Sequence, residues 1–204
     1  MSKNSRGGAR PPSAASGLFL PPRGAASSPA AQLQQAVALL RQGQSGRAET
    51  LLRALAQHEA ARFDALHLLG LLHLQRKNAA EALRFFEQAA QVRQAPAPLL
   101  NNMGIALREL GRPQDALAHY DRALAAQPDY AEALVNRGNV QRELRQPTAA
   151  LDSYARALAL QPAHPQALNN RALALRELGR PDEALASVRA ALAARPDYAE
   201  AHLN

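Results

Sequence analysis

Residues Ala97 to Tyr130 read APLLNNMGIALRELGRPQDALAHYDRALAAQPDY. The next stretch, Ala131 to His164, reads AEALVNRGNVQRELRQPTAALDSYARALALQPAH, and Pro165 to Tyr198 reads PQALNNRALALRELGRPDEALASVRAALAARPDY, so the chain repeats every 34 residues. A period of this size marks stacked supersecondary units, each too small to bury its own apolar face. With Ala97 as position 1, apolar residues fall at positions 4, 7 and 11 (Leu100, Met103, Leu107) and again at 20, 21, 24, 27 and 28 (Ala116, Leu117, Tyr120, Ala123, Leu124). Both sets have the three- and four-residue spacing of an amphipathic helix. Gly111-Arg112-Pro113 between them supplies a helix stop and a residue suited to a new first turn. Each unit therefore reads as a helical hairpin, and the fold as an all-α solenoid.

Position 8 is Gly in three units (Gly70, Gly104, Gly138), although Gly inside a helix costs about 1 kcal/mol relative to Ala. Position 20 is always small (Ala48, Ala82, Ala116, Ala150, Ala184), and position 24 carries the bulk (Leu52, Phe86, Tyr120, Tyr154, Val188). The expectation is a close approach of position 8 to position 20, with one large side chain per unit plugging the hairpin.

Gly at 8, Ala at 20, an aromatic at 24, Ala at 27 and Pro at 32 (Pro128, Pro162, Pro196) resemble the tetratricopeptide repeat. The resemblance covers about 85% of the chain and implies a right-handed solenoid of antiparallel hairpins. The chain departs from the pattern at position 4, which is Leu (Leu66, Leu100, Leu134, Leu168), and at Ala172, which replaces Gly at position 8. In this register the units are 29–62, 63–96, 97–130, 131–164 and 165–198, with 199–204 beginning a sixth. A sixth unit that stops six residues into a helix is expected to continue in a longer natural chain.

Residues 1–28, MSKNSRGGARPPSAASGLFLPPRGAASS, are rich in Gly, Pro, Ser and Ala. They carry Lys3, Arg6, Arg10 and Arg23 and no acidic residue, a composition expected to stay disordered. Gly17-Leu18-Phe19-Leu20 is too short for a signal-peptide core, and prolines flank it. The cytoplasm is the expected compartment. No apolar run reaches the roughly 18 residues of a membrane span, so no membrane insertion is expected.

The net charge of +7 is divided between that basic segment and repeats in which Arg alternates with Asp and Glu. Neither a basic stripe nor an interleaved aromatic row results, and nucleic acid is not an expected partner. Cysteine is absent, which excludes disulfides, thiolate metal sites and cysteine nucleophiles. The six histidines (His58, His67, His73, His119, His164, His202) include no i, i+4 pair, and no phosphate-binding glycine loop or nucleophile elbow occurs. No catalytic residue, metal, cofactor or small-molecule ligand is expected within these residues.

What remains is a surface. At about 100° per residue, positions 2, 6, 9 and 13 of the first helix lie opposite the packing face. Position 6 is Asn102, Asn136, Asn170 and Asn204; position 5 adds Asn101 and Asn169, position 9 adds Asn139, and position 13 adds Glu109, Glu143 and Glu177. Asn is a poor helix former, by roughly 0.6 kcal/mol against Ala. Duplication alone can copy a solvated polar residue. The chemical alternative is that a carboxamide can bond both N–H and C=O of an extended peptide without reading its side chains. On that account replacing the asparagines by Ala leaves folding intact.

The spaced amides resemble the asparagine ladder that lines the repeat arm of O-linked N-acetylglucosamine transferases. That resemblance implies a polypeptide held by Asn102, Asn136, Asn170 and Asn204, the ladder starting at unit three because Gln34 and Leu68 do not match. Asp64 to Arg76, DALHLLGLLHLQR, is similar to the opening units of bacterial repeat proteins that continue into glycosyltransferase domains. A chaperone-docking clamp would place a basic residue at position 5 and Asn at position 9, and only Asn139 fits. The leading expectation is a scaffold for extended protein or peptide partners, with the arm of a larger glycosyltransferase as the alternative.

Overall fold

The computed structural model describes residues 28–203; Asn204 and the segment 1–27, with the disorder expected of it, lie outside the described residues. Ten helices form five hairpins: α1 (Pro29–Arg41) with α2 (Ser45–Leu55), α3 (Glu59–Gln75) with α4 (Ala79–Val92), α5 (Ala97–Glu109) with α6 (Pro113–Ala126), α7 (Ala131–Glu143) with α8 (Pro147–Leu160), and α9 (Pro165–Glu177) with α10 (Pro181–Ala194). A short α11 (Ala199–His202) follows. Each helix packs on the next in sequence, and the first helices of successive units also touch, α1 on α3, α3 on α5, α5 on α7 and α7 on α9. The chain is thus an all-helical solenoid in which the odd-numbered helices share one face.

Every hairpin turns the same way. The residue at position 15 lies in the left-handed region in all five units: Gly43, Lys77, Gly111, Arg145 and Gly179, with φ of 73, 58, 72, 60 and 71°. The following N–H reaches back five residues, from Gln44 to Leu39, Asn78 to His73, Arg112 to Leu107, Gln146 to Gln141 and Arg180 to Leu175, at 2.9–3.0 Å. This Schellman closure satisfies carbonyls that the helix end would leave unpaired. Prolines 113, 147 and 181 then stand in the first turn of the second helix, where their missing N–H costs nothing.

The packing inside the hairpin differs from the sequence expectation at position 8. A Cβ built on Gly70, Gly104 or Gly138 would lie 2.2, 2.6 or 2.5 Å from a ring atom of Phe86, Tyr120 or Tyr154. The neighbour of position 8 is therefore the ring at position 24 rather than the small residue at position 20. Units one and five obey the same rule in reverse: Ala36 goes with Leu52, and Ala172 with Val188. A smaller plug leaves room for a methyl group. Phe86, Tyr120 and Tyr154 are fully buried, and each contributes roughly 1.5–3 kcal/mol by leaving water.

Candidate functional site

The odd-numbered helices present positions 2, 6 and 13 outward; position 5 of units three to five (Asn101, Val135, Asn169) and Asn139 at position 9 are buried in the seams, whereas at position 9 Leu71 is exposed and Ile105 and Leu173 are half-buried. Asn102, Asn136 and Asn170 are half-buried, and each donates backward across one seam. Asn136 Nδ2 donates to Asn101 Oδ1 at 3.0 Å, and Asn170 Nδ2 to Asn139 Oδ1 at 2.7 Å. Asn102 Nδ2 lies 3.0 Å from His67 Nε2, so that ring nitrogen holds the lone pair and accepts. Burial pushes the His67 pKa below its usual 6.5, which favours this neutral form. No donor among the described residues reaches the Oδ1 of these three amides, and one N–H of each is also uncommitted.

Asn101, Asn139 and Asn169 belong to the seams. They are 0, 5 and 3% exposed. Asn101 accepts from Asn136 and donates to Glu132 Oε1 at 3.4 Å. Asn139 Oδ1 accepts from both the Tyr154 hydroxyl, at 2.8 Å, and Asn170, so its two lone pairs are used. Asn101 has no exposed surface, whereas Asn139 and Asn169, though nearly buried, still line a polar cleft at the far end of the groove. In unit three position 9 is Ile105, and the Tyr120 hydroxyl is buried with no hydrogen-bond partner. Burial raises the pKa of both phenols, that of Tyr154 to about 12.

The carboxylates at position 13 divide in the same manner. Glu143 pairs with Arg108, and Glu177 with Arg142 Nη1 at 3.1 Å, each from position 12 of the preceding unit. Glu109 has no ion-pair partner among the described residues, because position 12 of unit two is Leu74. The repeated Arg at position 12 (Arg108, Arg142, Arg176) was the signal available in the sequence for this charge ladder. Asn204 lies outside the described residues.

Two clefts open on this face and differ in chemistry. One, of about 640 Å³, lies between α1 and α3 over Leu33, Val37, Ala38 and Leu68, with Gln34, Arg41, Gln42, Asp64 and His67 completing its lining. The other, of about 420 Å³, is polar and lies over Asn139, Arg142, Gln166, Asn169, Asn170 and Glu200 towards α11. The groove thus runs from an apolar end to a polar end, with the half-buried amides in its middle and polar parts. The asparagine pattern does not mark the apolar end, because Leu68 stands where units three to five carry Asn102, Asn136 and Asn170, and Leu33 and Val37 where they carry a mixture of asparagine and apolar residues. Among the described residues no cluster of acidic and histidine side chains is arranged to hold a metal ion, and no helix is long and apolar enough to cross a membrane.

Tetratricopeptide repeat models match residues 33–97 and 136–199 in one case and 96–163 in another. The first alone spans more than half of the chain, and the chain belongs to the tetratricopeptide repeat family. Solved structures share the fold. YrrB, a TPR protein with an unusual peptide-binding site, is 21% identical, with a TM-score of 0.69 over 84% of this chain and 89% of its own. PilW, a widely conserved type IV pilus biogenesis factor, is 24% identical, with a TM-score of 0.75 over 83% of this chain and 79% of its own. Pseudomonas aeruginosa pilF is 20% identical, with a TM-score of 0.76 over 86% and 80%. A search of curated protein sequences finds no significant match.

Proposed function

We propose that this chain is a protein-interaction scaffold whose odd-helix groove holds an extended polypeptide. The observation that carries the reading is the register of Asn102, Asn136 and Asn170. Each amide is anchored by one donor across a seam, and each keeps a carbonyl oxygen and one N–H for a ligand. An anchored amide loses less side-chain entropy on binding than a free one. A donor and an acceptor recurring once per unit suit backbone N–H and C=O groups rather than particular side chains. The peptide-binding site of YrrB, in a chain of the same fold, supports the reading. Because Arg108 and Arg142 neutralise Glu143 and Glu177, the preference for cationic peptides rests on Glu109 and is weak.

The test is to titrate a labelled unstructured peptide library against the wild type and the N102A/N136A/N170A variant. Each lost contact weakens binding by about 0.5–1.5 kcal/mol, about 1.5–4.5 kcal/mol in all if additive. The seam bonds revise the expectation for folding. Ala gains helix propensity, about 0.6 kcal/mol per site, but loses a cross-unit hydrogen bond of about 0.5–1.5 kcal/mol. The variant melts at or slightly below the wild-type temperature, and the titration is made where circular dichroism shows it folded. Equal affinity for the two proteins overturns the reading.

A second reading, the substrate arm of a larger glycosyltransferase of the O-linked N-acetylglucosamine type, draws on the same amide row. Residues encoded after Asn204 that form a donor-binding domain would favour it. The present chain, given sugar-nucleotide donors, is expected to transfer nothing; turnover by these residues alone would overturn both readings.

A further inference from the structure

The apolar cleft between α1 and α3 is unlike the rest of the groove. Leu33, Val37 and Leu68 occupy positions 5, 9 and 6, which in units three to five hold asparagine at six of nine places. A cleft of about 640 Å³ is within the roughly 300–1,000 Å³ range of sites that bury ligand groups. Its floor suits large aliphatic or aromatic side chains. The chain itself carries such a group just before the solenoid: Leu18-Phe19-Leu20 ends eight residues ahead of Ser28, whose hydroxyl caps α1 by accepting from Ala31 N–H at 3.2 Å.

The distances allow it to return. Eight residues span up to about 26–29 Å. Val37, nine residues into α1 from Ser28, lies only about 14 Å along the helix axis. Beyond the apolar triplet towards the N-terminus the segment has Arg10, Arg6 and Lys3 and no acidic residue. Asp64 at the cleft already pairs with Arg93 at 3.9 Å and Arg41 also lines the cleft, so apolar surface and reach, not charge, carry the docking.

We infer that Leu18-Phe19-Leu20 of this chain occupies the cleft over Leu33, Val37 and Leu68, so that residues N-terminal to it lie along the groove in competition with peptide partners. The docking stands on the cleft and the reach alone; the competition rests on the proposed peptide-binding role of the groove. The local concentration of a segment tethered by eight residues is in the millimolar range, enough for a weak internal ligand to hold its place.

The absence of cysteine allows a single probe. In the full chain, Ser16→Cys carries a nitroxide, and methyl resonances of Leu33, Val37 and Leu68 are recorded. The expected result is line broadening confined to these methyls, unchanged on tenfold dilution and abolished by Phe19→Asp. Absent or uniform broadening overturns the inference. So does broadening that appears only between labelled and unlabelled molecules in a mixed sample, which would assign the segment to a second copy. The peptide library is then titrated against the Phe19→Asp chain, whose affinity is expected to rise at least about threefold. Broadening with unchanged peptide affinity upholds the docking and counts against the groove as the peptide site.

Discussion

At the scale of single residues, the contact between positions 8 and 24 is the most exacting feature. Gly104 to Ala improves intrinsic helix propensity by about 1 kcal/mol, yet its Cβ would stand 2.6 Å from the fully buried Tyr120 ring. Overpacking of this kind costs about 1–3 kcal/mol, so Gly104→Ala is expected to lower stability despite the better propensity. Tyr120→Val alone leaves a cavity. The combination recreates the Ala172 and Val188 pair of unit five and is expected to be more stable than the sum of the two single changes by at least about 0.5 kcal/mol. Urea denaturation of the four proteins measures this; strict additivity would show that the ring and the glycine do not constrain each other. The periodicity located both positions but paired glycine with the alanine at 20. A helical wheel assigns residues to faces, whereas the direction in which a side chain leans along its helix decides which residue it meets.

Among elements, the turn inside each hairpin was legible from Gly111 and Pro113, and it is present even where the glycine is not. Lys77 and Arg145 hold the left-handed conformation that Gly43, Gly111 and Gly179 adopt without a Cβ penalty. Left-handed backbone costs a non-glycine residue roughly 1–2 kcal/mol. Arg145→Gly, exposed and without a described side-chain contact, is expected to raise stability by about 1 kcal/mol, partly offset by the greater freedom of Gly in the unfolded chain. A rise in melting temperature of a few degrees checks it, and a fall would mean that the arginine side chain contributes more than its strained backbone costs. The seam asparagines were the part of the candidate site that the sequence concealed. A first helix here meets its own partner helix and the first helices on both sides, so Asn101, Asn139 and Asn169 are covered although a two-sided wheel leaves positions 5 and 9 in the open.

For the whole molecule, stability is a chain of neighbour terms, and one of them responds to pH. His67 belongs to unit two and accepts from Asn102 of unit three. Its pKa lies below 6.5 because burial disfavours the charged ring, with Asp64 opposing and Arg93 reinforcing the shift. Above pH 6.5 folded and unfolded chains both hold it neutral and its contribution is complete. As pH falls through 6.5 the unfolded chain takes up a proton that the folded chain resists, so stability declines until the folded pKa is reached. The wild type is therefore expected to lose more stability between pH 7.5 and 5 than His67→Asn, measured by thermal melts at each pH. Equal losses would place the acid sensitivity elsewhere.

The complementarity of glycine and ring reaches beyond folding to how such a chain can change over generations. A lone substitution at either member passes through a strained or hollow intermediate, so each hairpin resists piecemeal drift at these two places. Copying an intact unit avoids that barrier altogether, since both members arrive together. The lineage of this protein can therefore lengthen or shorten its groove in whole steps more readily than it can revise the interior of any one step.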